Sequence, residues 1–341
     1  MKQQRAREMG ITIGTLPTGP RNKITDVPGV RVGHSTVRDE KHKTGVTVIL
    51  PCEDNVFLNK PVAAAFVHNG YGKTCGTVQI DELGTLETPI ALTNTLNVGA
   101  VSDAIVQYMV KRCAQDGHSL RSVNPIVGEC NDAALNTITD RPITAEHVFE
   151  AIDTATEDFA EGDVGAGTGT TCYGYKGGIG SASRKITLGG KDYTLGVLVQ
   201  SNYGAMQDLR INGKAPAALH DPEPPCDKGS IMIILATDIP LTARQLKRVV
   251  KRCSIGIARL GSYIGHGSGE IFIGFTTANR IPVQATDILS LSAISEDRID
   301  LLFRAAGEAS EEAILNSMLC ADAAVTLDGK ALPSLRDVIQ P

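Results

Sequence analysis

The stretch PPCDKGSIMIILATD, residues 224–238, sets a polar, proline-punctuated segment directly against a solid apolar run. Prolines at 222, 224 and 225 disfavour helix. Ile231 to Ala236 has the length and composition of a strand buried on both faces. The border falls at Gly229 and Ser230, so a hydroxyl stands where an exposed loop enters a buried strand.

Two roles are open to that hydroxyl. Ser230 can cap the turn that precedes a core strand, as serines commonly do. It can also attack the carbonyl of Gly229, converting the amide to an ester by an N-to-O shift, after which hydrolysis releases two chains. Gly229 has no Cβ and permits the close approach this needs. The freed α-amine of Ser230, with a reference pKa of about 7.7–8.0, would suit a general base near neutral pH. Nucleophile and base would then be one residue.

The rest of such a site has to come from distant stretches. In GSGEIFIGFTT (267–277), a strongly patterned strand, Ser268 and Glu270 are two apart and share a face. They form either the polar face of a half-exposed sheet or a pair that orients the Ser230 amine and relays its proton. Asn202 follows the apolar run of YTLGVLVQSNYG (193–204) and either makes the turn or donates its amide to a developing oxyanion. Glu129 ends the short apolar run of NPIVGECNDAALN (124–136) and either is a satisfied structural carboxylate or holds a substrate ammonium.

Further strands are expected around Pro28-Gly29 within 22–37, at 44–51, at 61–70 and at the start of 88–99. A helix follows from about 98 to 113, with Asn97 as its cap and Val98, Val101, Ile105, Tyr108 and Met109 on one stripe. ITAEHVFEAIDTATEDFAEG (143–162) reads as an amphipathic helix closed by glycine. Helical periodicity returns over 241–265, behind a Thr242 or Asp238 cap, and over 295–321. Strand groups followed by helices predict two sheets faced by helices.

Between them, residues 163–185 are glycine and Ser/Thr with few bulky side chains. GAGTGT (165–170) matches part of a dinucleotide fingerprint, but no clear strand precedes it and no helix follows, which argues against a Rossmann site. His34, His68 and His266 lie near turns, and no HExxH or HxH grouping marks a metal site.

Composition narrows the function classes. The chain has 341 residues, 35 glycines, no tryptophan and 4% aromatics, so small side chains and tight turns dominate its core. A net charge of -5 without a basic run argues against nucleic acid or an anionic membrane as partner. Eight scattered cysteines form no CxxC pair, and the charged N-terminus MKQQRAREMG has no apolar signal core. A cytoplasmic protein with reduced thiols is expected.

Taken together, GTGTTCYGYKGGIGSASR, VQSNYGAMQDLRINGKA, DKGSIMIILATDIPL and IGHGSGEIFIGFTT, with DVPGVRVGHSTV and VGECNDAALN nearer the N-terminus, make the chain similar to the self-processing L-aminopeptidase/D-amidase-esterase and β-peptidyl aminopeptidase family of serine hydrolases. The resemblance spans nearly the whole chain. It implies a four-layer α/β/β/α sandwich like that of the N-terminal-nucleophile hydrolases, with different connectivity. It implies one aminopeptidase domain, 1–341, that matures to an α chain of 1–229 and a β chain of 230–341.

By the same resemblance Ser230 is the nucleophile, Ser268 and Glu270 its proton-handling partners, Asn202 the oxyanion donor and Glu129 the holder of the substrate amine. No cofactor is implied, the substrate is a small peptide, amide or ester with a free amine, and the assembly is a homotetramer of processed heterodimers. Some relatives carry a tyrosine two positions after the glutamate, where this chain has Asn131. Either Asn131 substitutes, or another residue such as Tyr173 approaches, or the substrate differs. Two rivals remain: an acyltransferase of the ornithine acetyltransferase type, whose cleavage point is a threonine rather than Ser230, and a non-enzymatic oligomeric binding protein.

Overall fold

A computed structural model describes residues 4–216, 228–284 and 287–339. The proline-punctuated part of the junction, with Cys226, lies outside these residues. In chain order the elements are Arg31–Arg38 (β1), Lys43–Leu50 (β2), Asn59–Gly70 (β3), Thr77–Leu83 (α1), Ile90–Asn94 (β4), Val98–Gln115 (α2), Ile126–Cys130 (β5), Ala145–Asp153 (α3), Thr171–Cys172 (β6), Tyr175–Lys176 (β7), Ile179–Leu188 (β8), Lys191–Asn202 (β9), Lys228–Thr237 (β10), Ala243–Val250 (α4), Cys253–Arg259 (α5), Gly267–Pro282 (β11) and Ile299–Leu319 (α6).

Two sheets stack face to face. One has the order β1-β2-β4-β5, the other β3-β11-β10-β9-β8. α2 and α3 cover the outer face of the first, and α4, α5 and α6 cover the outer face of the second. The expected α/β/β/α sandwich is what forms. Strand parity shows why the inner strands are apolar on both faces: Met232, Ile234 and Ala236 of β10 enter the core between the sheets, whereas Ile231, Ile233 and Leu235 enter the core under α4–α6.

The structure corrects several local expectations. Residues Ile24–Asp26, before the Pro28-Gly29 turn, form a 3-10 turn and not a strand. Asn97 makes no side-chain cap for α2, since its amide donates to the Ile143 carbonyl; Asn94 instead caps the 3-10 turn Thr95–Asn97 that precedes α2, accepting from the Leu96 and Asn97 amides. The helix expected over 143–162 stops at Asp153, because the following residues have tertiary partners. Thr156 pairs with Val32 at the edge of β1, and the buried Glu161 carboxylate accepts from the Ser181 amide and pairs with Arg5 at 2.7 Å. The run at 241–265 divides into α4, capped by the Thr242 hydroxyl, and α5. Residues Gly165–Gly167 form a 3-10 turn whose amides donate to Thr36 and Thr47 on the first sheet, so they cradle no phosphate.

α6 packs closely on β8: a Cβ on Gly180 would stand 2.0 Å from the Ala313 carbonyl. The helix also carries Glu308 and Glu312 into the interior. Arg184 of β8, itself fully buried, reaches Glu308 at 3.1 Å and Glu312 at 2.7 Å, while Arg7 and Asn22 complete the second carboxylate. Among the described residues no helix is long and apolar enough to cross a membrane, and the seven described cysteines are all free.

Removing one partner of a buried ion cluster strands the others in a low-dielectric interior. Arg184→Met should therefore lower stability by about 3–5 kcal/mol, read as a shifted midpoint of urea unfolding. A loss below about 1 kcal/mol would mean that the carboxylates are neutralised by other means.

Candidate active site

Ser230 lies two residues inside β10 rather than at its border, because the strand begins at Lys228. β9 runs antiparallel on one side, with Asn202 opposite Ser230, and β11 runs parallel on the other, with Gly269 opposite Ser230. Gly229 is held at φ +127°, a conformation that favours glycine, and a Cβ there would stand 1.9 Å from the main-chain oxygen of Asn202. The bond between Gly229 and Ser230 is thus pressed against the end of β9 with no room for a side chain on its first residue.

Partners in register share a face of the sheet. Ser230 and Asn202 accordingly point the same way, toward the first sheet, where a cleft of about 330 Å³ opens. Its lining includes Ser230, Gly229, Asn202, Glu129, Asn131 and Thr95. Glu129 is the penultimate residue of β5, which runs parallel to β4, so its carboxylate lies near the carboxyl ends of two parallel strands. It is buried and accepts from the Lys73 amide at 3.0 Å and from the Thr95 hydroxyl. Next to it, the buried Cys130 thiol, its pKa pushed well up by burial, donates to the carbonyls of Gln200 and Ser230 and ties the tip of β5 to β9 and β10.

The Asn202 carboxamide is held with a defined polarity. Its oxygen accepts from the Thr171 amide at 3.0 Å, which leaves the nitrogen as the end that can donate toward the cleft. Such an amide beside a nucleophile is suited to a developing oxyanion.

Ser268 and Glu270 are both fully buried and hydrogen-bonded to each other, the hydroxyl donating to the carboxylate. They are not a polar face on a half-exposed sheet. Their register sets Ser268 opposite Gly229 and Glu270 opposite Ile231, so they flank Ser230 along β11. Because Gly269 shares the face of Ser230, they point to the other face, the one covered by α4–α6. They therefore stand on the opposite face of the sheet from the Ser230 hydroxyl. A register shift against β3 between Glu270 and Ile271 marks the same place.

Asn131 lines the cleft, with its side-chain oxygen accepting from the Ala133 amide. Tyr173 does not approach. Its ring is buried under α5 and α6 against Tyr203, 5.1 Å between centroids, and its hydroxyl accepts from the Ser262 amide. The sequence reading missed Tyr71, Lys73, Thr95, Thr171, Lys228 and Gly267, which also line the cleft. Thr95 follows the end of β4, where a polar residue after an apolar run is a weak signal; Thr171, which opens β6 in the glycine-rich run, Tyr71 and Lys73 carry none.

The chain matches peptidase family S58 over residues 22–332. It is 36% identical to the beta-peptidyl aminopeptidase BapA of Sphingosinicella microcystinivorans, over 97% of this chain and 89% of that one. Its structure is similar to that of the PH0078 protein of Pyrococcus horikoshii, with a TM-score of 0.91, 46% identity and coverage of 97% and 96%. It is also similar to an L-aminopeptidase D-Ala-esterase/amidase of Ochrobactrum anthropi, described as a prototype for the serine aminopeptidases and a new variant among the Ntn hydrolase fold, with a TM-score of 0.87, 37% identity and coverage of 94% and 92%. A family match over nine-tenths of its length, on this fold, means that the chain belongs to peptidase family S58 and is a hydrolase.

Proposed function

We propose that this protein is an aminopeptidase that cuts itself between Gly229 and Ser230 and then uses Ser230 as nucleophile to release a small N-terminal residue. The observation that carries this is the shared cleft: a serine behind a sterically compressed glycine peptide, an amide donor on its own face and a buried carboxylate across from it. The relatives are named for β-peptidyl, L-amino and D-alanyl substrates. L-, D- and β-aminoacyl peptides, amides and esters are therefore the substrate classes proposed here.

In the intact chain, Ser230 Oγ attacks the Gly229 carbonyl, its proton passes to the departing Ser230 nitrogen, and the amide becomes an ester. Water hydrolyses that ester, giving a carboxylate at Gly229 and a free amine on Ser230. The α chain is then 1–229 and the β chain 230–341. In turnover the amine, oriented from the far side of the sheet by Glu270 and Ser268, takes the hydroxyl proton as Oγ attacks the substrate carbonyl. The Asn202 amide donates to the oxyanion, and the amine returns the proton to the leaving group. Glu129 holds the substrate ammonium, which makes the enzyme count from the N-terminus. Processed heterodimers assemble as a homotetramer in a reducing, cytoplasmic setting, consistent with free cysteines.

Mass spectrometry of the purified protein should find two chains meeting at Gly229 and Ser230. Ser230→Ala should remain one chain without peptidase activity, and an uncut yet active Ser230→Ala enzyme would sink the mechanism. Gly229→Ala should slow self-cleavage by at least about tenfold, since its Cβ cannot occupy the space beside Asn202 without displacing the scissile peptide; cleavage at the original rate would show that the compression is irrelevant. Across a panel of L-, D- and β-aminoacyl amides, Glu129→Gln should raise KM by about tenfold or more while kcat changes less. A kcat effect with unchanged KM would assign Glu129 to the chemical step instead.

A further inference from the structure

Lys176, on the short strand β7, is 1% exposed, yet its ammonium faces main-chain oxygens. It donates to the carbonyls of Gly167 and Thr170, both at 2.9 Å, and of Gly177 at 2.6 Å. Burying a lysine in this way costs several kcal/mol and an apolar side chain would avoid the cost. Burial lowers its pKa to about 7, against the opposing influence of Asp163 and Asp132. Three main-chain acceptors gathered on one buried side chain call for a role that apolar packing cannot fill.

One of its three acceptors has a special position. The Thr170 carbonyl and the Thr171 N–H belong to the same peptide unit, and that N–H is the donor that holds the oxygen of the Asn202 carboxamide at 3.0 Å. The Gly177 amide donates to the same Thr170 carbonyl at 3.0 Å, so the peptide plane is fixed at its oxygen by two donors, one of them cationic. A charged donor on a carbonyl orients the peptide and polarises it, strengthening the N–H on its other side. The glycines around it leave room for nothing else: a Cβ on Gly177 would stand 2.6 Å from the Ser201 carbonyl, and one on Gly167 would stand 2.5 Å from the Ile179 nitrogen.

We infer that Lys176 is a positioning residue for the oxyanion donor, acting on Asn202 through the Thr170-Thr171 peptide so that the Asn202 nitrogen, not its oxygen, faces the cleft. This rests on the oxyanion role proposed for Asn202. The glycine-rich run that resembles a nucleotide fingerprint thereby gains a different purpose: it wraps backbone carbonyls around one ammonium and passes its orientation to the neighbouring strand.

A double-mutant cycle tests it, with turnover referred to the cleaved fraction measured by mass spectrometry and folding checked by near-UV circular dichroism. Asn202→Ala alone should lower kcat by about 10²–10³-fold. Lys176→Met should lower kcat on the order of tenfold or more with KM nearly unchanged, and should cost less than about twofold further when added to Asn202→Ala. Additive losses, or an unchanged kcat in Lys176→Met, would overturn the inference while leaving the oxyanion role of Asn202 intact. An Asn202→Ala enzyme with unchanged kcat would remove that role itself, and the inference with it. Should Lys176→Met not fold, Lys176→Leu, which likewise offers no donor to the Thr170 carbonyl, takes its place in the cycle with the same expected outcomes; failure of both to fold would assign the lysine to structure alone.

Discussion

The contact on which the site depends is the one between Gly229 and the main-chain oxygen of Asn202. Where β9 ends, β10 begins two residues before the serine, and the space that a Cβ would fill is already occupied by the Asn202 carbonyl. That single exclusion dictates a glycine before Ser230 and sets the backbone at a positive φ. It also fixes the register in which Asn202 and Ser230 stand opposite each other. The polar cleft, the short strands of the glycine-rich run and the tip of the other sheet are arranged around it.

A β-sheet divides its neighbours between two faces, and here the division separates two kinds of chemistry. On the cleft side are the Ser230 hydroxyl, the Asn202 amide and, from the opposite sheet, Glu129. On the helix side are Ser268 and Glu270, buried and bonded to each other. Ser230 stands on the strand between the two groups, with its side chain on the cleft face. Under the self-cleavage proposed above, nucleophile and base would be one residue placed between these two groups.

Charge burial is the other recurring device. With few aromatics to fill its interior, the chain ties its layers together by ions: Arg184 with Glu308 and Glu312 between β8 and α6, Arg5 with Glu161 near the N-terminal segment, and Lys176 within the glycine-rich run. The two arginines bind groups far apart in sequence, Lys176 gathers carbonyls of its own run, and each needs its partners to be complete before it stabilises anything. They are weak sources of net stability and strong sources of geometry.

Local sequence carried the secondary structure wherever one periodicity ran uninterrupted, as in β2, β10, α2 and α6, and it singled out the Gly229-Ser230 junction through the abrupt change from proline loop to apolar strand. It failed where a tertiary partner outweighed local preference: the helix over 143–162 ended early because Thr156 and Glu161 pair elsewhere, and the Asn97 amide is spent on the Ile143 carbonyl instead of capping α2. Motif resemblance extended the legible part to Ser268, Glu270, Asn202 and Glu129 as a set, but not to the faces on which they stand. Alternation along β11 told that Ser268 and Glu270 share a face; only the pairing of β11 with β10 decided which face, because register is a relation between strands and no single strand encodes it. For the same reason the sequence showed Lys176 merely as a lysine among glycines, and the fold alone aligned its ammonium with the peptide that holds Asn202.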